Sequence, residues 1–372
     1  MRITGNIKYF YAIAVLAGLY IVTANLMVKQ SGQLRTPEEI FQIKATDNLE
    51  EQVKQYTKLI QRVGPQQAQE ELLHSGLPFT GQTHLLNHVV GDYLYATYGP
   101  TGLSQCKEYF LASCYHGFIL QAIAEKGNAV LGEVLTACEQ EGRPVLVQCA
   151  HALGHGFLAD VGYKNLISAL DRCDNMNKSF SNFPLFNCHD GVFMENIWGV
   201  HEGQRSADAW LRPDDPLYPC NDPRINENYL VACWSEQPTF IYQFFHQDLK
   251  KVSQVCDSLS NPFYQKACFN ALARQIHPLA AGNVEKTGEL CALLPLSRQG
   301  ECIITNAVSG FAVGDRKTPY LLCAQIDLSQ KAQCYHELQD TMAAYAKTPL
   351  DRREFCDGVL EAVWQKLCYS AP

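Results

Sequence analysis

Apolar side chains recur along most of this chain at the three- to four-residue spacing of one helical face, and strictly alternating β-branched runs are scarce. That pattern predicts helices throughout and no sheet. Residues 49–63 show it plainly: Val53, Leu59, Ile60 and Val63 are apolar, and Gly64-Pro65 closes the stretch. A short helix is expected over 66–73, ended by Ser75-Gly76, and a longer one over 83–98, ended by Gly99-Pro100. Further along, residues 252–259 and 265–272 form two helical stretches around the turn Ser260-Asn261-Pro262. Gly142-Arg143-Pro144 and Asp327-Leu328-Ser329 punctuate other pairs in the same way, because Pro suits a first helical turn and Asn, Asp or Ser can cap it.

The N-terminus departs from this periodicity. Residues 9–28 are twenty positions without a charge, flanked by Arg2 and Lys8 before and Lys29 after. Twenty helical residues span roughly 30 Å, the thickness of a bilayer core. The expectation is an uncleaved signal anchor, a transmembrane helix over 1–29, followed by a polar tether over 30–48. The competing reading is a signal peptide ending at Val22-Thr23-Ala24, which fits the small-residue rule for cleavage and would release a secreted protein. Either reading exports the remainder, and the positive flank keeps the short tail in the cytoplasm.

Sixteen cysteines in an exported chain point to disulfides. They fall into eight consecutive pairs: Cys106 with Cys114, Cys138 with Cys149, Cys173 with Cys188, Cys220 with Cys233, Cys256 with Cys268, Cys291 with Cys302, Cys323 with Cys334, and Cys356 with Cys368. Second members recur at intervals of 35, 39, 45, 35, 34, 32 and 34 residues. A period near 35 is tetratricopeptide-like and describes a helix-turn-helix unit. In each unit the first cysteine is expected near the end of one helix, and the second one or two turns into the next. The predicted fold is therefore all-α, an α-solenoid-like row of disulfide-stapled helical hairpins. Each bridge closes a short loop, which stabilises by about 2–3 kcal/mol in the chain-entropy model. No Cys-x-x-Cys pair occurs, which excludes zinc ribbons, thioredoxin-like redox sites and c-type haem attachment.

Composition narrows the partners. With 47% hydrophobic and 18% charged residues the chain can bury a core, and at net charge −8 with no basic run longer than two residues it lacks a phosphate-binding surface. Nucleic acid is excluded as a partner; the membrane, through the N-terminal helix, is expected. A loop over 201–222, rich in Gly and Pro, breaks the period between His-rich repeats over 49–200 and further stapled repeats over 223–372.

The histidines are concentrated in the first units. Aligning on the second cysteine gives Cys114-Tyr-His116-Gly117, Cys149-Ala-His151-Ala-Leu-Gly-His155-Gly156 and Cys188-His189-Asp190-Gly191-Val-Phe-Met-Glu195. An earlier helix, with His84 and His88, matches the His151/His155 pair in phase but has no cysteine. The slot two residues after the cysteine then carries His84, His116, His151 and Asp190, and later Ser235, Asn270, Ile304, His336 and Ser370. Two His-x-x-x-His pairs each place imidazoles one turn apart on one face. The candidate metal ligands are His84, His88, His116, His151, His155 and His189, grouped as one centre or as triads His84/His88/His116 and His151/His155/His189. Asp190 and Glu195 are the candidate catalytic carboxylates, as ligand, orienting group or general base. Imidazole-rich donors without a free thiolate favour Zn, Cu or Fe as the cofactor. Gly117, Gly156 and Gly191 suggest close helix approach or a ligand against the backbone.

Two other readings stand beside the metal. Polar residues stacked at one repeat position can form a hydrogen-bonded ladder that satisfies a buried face, or the histidines can catalyse without metal. The function classes are thus a metal-binding protein or metal-dependent enzyme, an oxidoreductase or hydrolase, and a scaffold binding a protein or peptide on its repeat face. The histidine-rich first half favours a localised site. The quoted motifs, with Gly191-Val-Phe-Met-Glu195-Asn196, resemble those of exported Cys/His-rich helical-repeat proteins of bacteria and archaea over about residues 82–200. That resemblance implies an exported repeat fold and carries no established activity or catalytic residue.

Overall fold

Asn48 caps the first described helix by accepting a hydrogen bond from the Glu51 amide at 2.9 Å, an N-cap that satisfies one of the free donors of a first turn. In this computed structural model the described residues are 48–77, 81–199, 205–313, 315, 317–345 and 349–370. Residues 1–47, which carry the expected anchor and nearly all of the expected tether, lie outside them. No helix among the described residues is long and apolar enough to cross a membrane.

Helices α1 (Leu49–Val63), α2 (Pro65–Leu73) and α3 (Gly81–Tyr98) precede the first disulfide. A 3-10 turn over Gly99–Gln105, where a plain helix end was expected, leads to α4 (Tyr109–Lys126). Next come α5 (Leu131–Gln140), α6 (Arg143–Val161), α7 (Leu166–Ser179) and α8 (Leu185–Trp198). After the insert come α9 (Glu227–Phe244), α10 (Leu249–Ser258), α11 (Pro262–Ala280), α12 (Val284–Cys291) and α13 (Leu296–Ala312). The last are α14 (Thr318–Gln325), α15 (Leu328–Tyr345), α16 (Pro349–Asp357) and α17 (Ala362–Ser370). No strand occurs among the described residues.

Helices α3, α4, α6, α8, α9, α11, α13 and α15 pack in that order as one continuous row, and the remaining helices cover it as a second layer. Because α8 packs directly on α9, the insert interrupts the sequence period without interrupting the row. The row curls far enough for α13 to touch α4. Of the anticipated punctuation, Asn261 caps α11 with its side chain and Gly142 turns into α6 with φ +105°; Asp248 and Asn283 cap α10 and α12 in the same way.

All eight cysteine pairs are bonded in the sequential pattern, with Cα–Cα separations of 5.4–6.5 Å. In six of them one helix is tied to the helix that follows. Cys138 bonds Cys149, Cys173 bonds Cys188, and Cys256 bonds Cys268. Further along, Cys291 bonds Cys302, Cys323 bonds Cys334, and Cys356 bonds Cys368. The remaining two correct the hairpin expectation, because their first cysteine is not on a helix. Cys106, bonded to Cys114, follows the 3-10 turn, and Cys220, bonded to Cys233, lies in the insert. The second members keep to the expected place, with Cys233, Cys268, Cys302 and Cys334 each in the second turn of α9, α11, α13 and α15. Every cysteine is buried, so each staple is also a core residue of its unit. Eight disulfides belong to an oxidising, extracytoplasmic setting.

Two helix crossings are closer than side chains would permit. A Cβ on Gly91 would lie 2.0 Å from the Cys114 carbonyl oxygen, and one on Gly117 would lie 2.1 Å from that of His88. The same arrangement recurs between α6 and α8, where a Cβ on Gly154 would lie 2.1 Å from the Cys188 oxygen and one on Gly191 2.0 Å from the His151 oxygen. Of the two roles open to Gly117 and Gly191, the structure shows close helix approach.

This repetition corrects the register expected for α3. Gly91 and Gly154 make equivalent contacts, and each follows a histidine by three residues, so His88 is the counterpart of His151. The cysteine-phased alignment gave that place to His84, which sits one helical turn earlier. Both placements satisfy His-x-x-x-His, and α3 has no cysteine to decide between them; the glycine crossing does.

A candidate metal centre of stacked histidines

Five imidazoles from three adjacent row helices form one continuous group. On α3 the rings of His84 and His88 lie 4.9 Å apart, as neighbours one turn apart must. The His116 ring of α4 lies 5.2 Å from His84 and 5.5 Å from His88. It also lies 5.2 Å from His151 and 5.3 Å from His155 on α6, which are 4.8 Å from each other. Among the described residues, one ring nitrogen from each of His84, His88 and His116 lies within 4.8 Å of the others.

The partners of each ring decide which nitrogens are available. His84 Nδ1 is 2.8 Å from the Phe110 carbonyl, so Nδ1 carries the proton and Nε2 the lone pair. Phe110, Leu111 and Ala112 all have φ between 53° and 57°, a left-handed turn that ordinary side chains rarely adopt. It holds the Phe110 carbonyl against His84. On α6, His155 Nδ1 is 2.8 Å from Glu195 Oε2 and His151 Nδ1 is 3.3 Å from Asp190 Oδ2. Ionised carboxylates only accept, so both Nδ1 atoms carry protons. The two Nε2 atoms face each other at 3.1 Å.

His116 differs from all of these. It is 3% exposed, and neither of its ring nitrogens has a hydrogen-bond partner. A fully satisfied polar ladder leaves no such group.

The carboxylates stand behind the histidines. Glu195 is fully buried; its other oxygen accepts from the Tyr163 hydroxyl. That geometry fits an orienting group more closely than a water-facing base. Asp190 accepts from the Ser235 hydroxyl. Burial pushes the Asp190 carboxyl up, but the hydrogen bond and charge of His151, the Arg274 charge and the Ser235 hydroxyl together hold it below the ordinary value. Arg274 also pairs with buried Glu236 at 2.8 Å. Burial first, and the Asp190 charge second, push Glu236 up to about 8 against the pull of Arg274.

His189 does not join the group. Its Nε2 is 3.0 Å from Asp174 Oδ1 and its ring packs edge-on against Tyr229, whose hydroxyl donates to Asp174 at 2.6 Å. The triad His151/His155/His189 expected from sequence is therefore not assembled. His189 is one residue before the slot, which turns it toward α7. His336, in the slot of a later unit, is exposed. Tyr163, Phe110, Ser235, Glu236 and Arg274 were not singled out from sequence. Only Ser235 had a signal there, its slot position.

Burial lowers His116 well below the usual imidazole value, with the neighbouring histidine charges adding to it. Burial likewise brings His84 down to about 4, the Phe110 carbonyl opposing and the His155 and His151 charges adding. Both are neutral at pH 7, the form that ligates metal. The unfolded chain binds these protons at higher pH than the folded one, so stability falls as pH drops from about 6.5 to about 4. For His84 the loss is about 3 kcal/mol at most. Thermal unfolding of chelator-treated protein at pH 7 and pH 4.5 should show a lower Tm at the acid pH, and His84→Gln should reduce that difference. An equal loss in the variant would contradict the assignment.

No protein-family model matches this chain, and no curated protein or solved structure matches it.

Proposed function

We propose that this chain is an exported, disulfide-stapled helical-repeat protein that binds a transition-metal ion through His84, His88 and His116. The observation that carries the reading is His116, buried with two unpartnered nitrogens against two further imidazoles whose ligand atoms converge with one of its own. Uncompensated burial of such a group costs free energy, and an ion bound by three histidines removes the cost. Imidazole donors suit Zn, Cu or Fe rather than Ca or Mg. Three protein ligands leave a fourth position for water or substrate, the arrangement a metal-dependent hydrolase or oxidoreductase needs. Residues 9–28 tether the repeats to the outer face of a membrane in this reading. The motif likeness to exported Cys/His-rich repeat proteins supports the same setting.

The scaffold reading draws on the later units, where Arg274 donates to Glu236 and to the Ser235 carbonyl and the Ser235 hydroxyl donates to Asp190. It gives no reason for His116.

Elemental analysis of protein isolated with its disulfides intact should find at least one equivalent of Zn, Cu or Fe per chain. His84→Gln with His88→Gln should remove the ion bound there, whereas His336→Gln should not. Protein that stays metal-free after incubation with these ions would leave the scaffold reading in place.

A further inference from the structure

We infer that the centre holds two ions, with His116 shared between the pair His84/His88 on α3 and the pair His151/His155 on α6. This rests on the metal-binding reading above and extends it to nuclearity and ligand roles. Two imidazoles sharing one tetrahedral ion, with bonds of about 2.0–2.1 Å, place their ring centres about 5 Å apart. The six ring separations of 4.8–5.5 Å divide into two triangles that meet only at His116. The glycine crossings make His88 and His151 counterparts, and His116 and His151 share the slot two residues after the second cysteine. His84 lies one turn to the N-terminal side and His155 one turn to the C-terminal side, so each pair flanks His116 from a different neighbouring helix and a different turn.

The second pair has its own signature. The two Nε2 atoms face each other at 3.1 Å, close to the about 3.3 Å that separates ligands on one tetrahedral ion. Each ring donates its Nδ1 proton to a carboxylate, Asp190 or Glu195, the outer arrangement that fixes a metal-ligating histidine.

His116 then uses both of its otherwise unpartnered nitrogens. One ring nitrogen ligates the first ion by its lone pair. Binding of the second ion to the other nitrogen displaces that N–H proton to solvent, leaving an imidazolate bridge between two cations. Gly117, next to His116, lets the α4 backbone come against that of α3 at His88.

The test uses the full chain with its disulfides intact, titrated with Zn²⁺ and separately with Cu²⁺. Calorimetry should give two ions per chain, with release of the bridging proton seen as a buffer-dependent enthalpy in the second step. His84→Gln/His88→Gln and His151→Gln/His155→Gln should each retain one ion, and His116→Gln should weaken both sites. Far-UV circular dichroism identifies folded variants. In the dicopper form, exchange through the bridge should reduce the electron paramagnetic resonance signal well below two spins per chain. Saturation at one ion overturns the two-ion centre but not the metal-binding reading. Two ions with the full, uncoupled signal overturn the bridge. No bound ion overturns both readings.

Discussion

Replacing Gly117 by Ala is expected to destabilise the protein by about 2–3 kcal/mol and to abolish tight metal binding at the same time. The added Cβ would meet the oxygen, carbonyl carbon and Cα of His88 at 2.1, 2.7 and 2.9 Å. All three are backbone atoms, so no rotamer change relieves the overlap and α3 must move away from α4. Movement of α3 also carries His84 and His88 away from His116. Gly288 on α12 is the control, because a Cβ added there would meet nothing within 4 Å and its φ is ordinary. Gly288→Ala should gain about 0.5–1 kcal/mol from helix propensity alone. Urea unfolding with intact disulfides reads the first effect and Zn²⁺ titration the second. An unchanged unfolding midpoint for Gly117→Ala would show that the crossing has slack and that glycine does not set the spacing of the histidines.

Much of the architecture could be read from the cysteines, because a disulfide between neighbouring helices constrains sequence separation as well as distance. Their intervals predicted the pairing and the row of units. They could not show that Cys106 and Cys220 lie off the helices, because a bridge fixes a distance and not the conformation of its ends. The slot two residues after the cysteine foretold that His116, His151, Asp190 and Ser235 succeed one another in space. What sequence spacing lacked was the axial offset between neighbouring row helices. That offset comes from backbone contacts at Gly91/Gly117 and Gly154/Gly191, and without a cysteine on α3 the expected alignment slipped by one turn, from His88 to His84. His189 lies one residue before the slot, and one residue is about 100° around a helix, enough to send its ring to Asp174 and Tyr229 instead. Phe110 and Tyr163 gave no polar pattern at all. One acts through its backbone carbonyl, and the other is an aromatic residue that bonds Glu195 from a 3-10 turn beyond the end of α6.

Substituting Glu195 by Gln should weaken Zn²⁺ binding about 10–100-fold, the usual effect of removing a histidine's outer partner. One carboxylate oxygen takes the His155 Nδ1 proton at 2.8 Å, and the other takes the Tyr163 hydroxyl proton. Both of these neighbours are therefore donors, and the side chain is fully buried. An amide offers one acceptor oxygen in place of two, so it can accept from only one of them. If its oxygen faces Tyr163, its NH₂ faces His155 Nδ1, which must give up the proton and become the acceptor. The proton moves to His155 Nε2, the nitrogen that faces His151, and that ring can no longer ligate there without losing it. Tyr163→Phe leaves the Glu195–His155 bond in place and should have a smaller effect. Neither variant alters the α3–α4 crossing, so the His84/His88 pair should keep its own affinity. Competition against a chromophoric chelator separates the two sites by measuring binding in Glu195→Gln alone and combined with His84→Gln/His88→Gln. Wild-type affinity in Glu195→Gln would mean that the carboxylate does not set the His155 tautomer, and that the bond between them is part of a buried polar ladder.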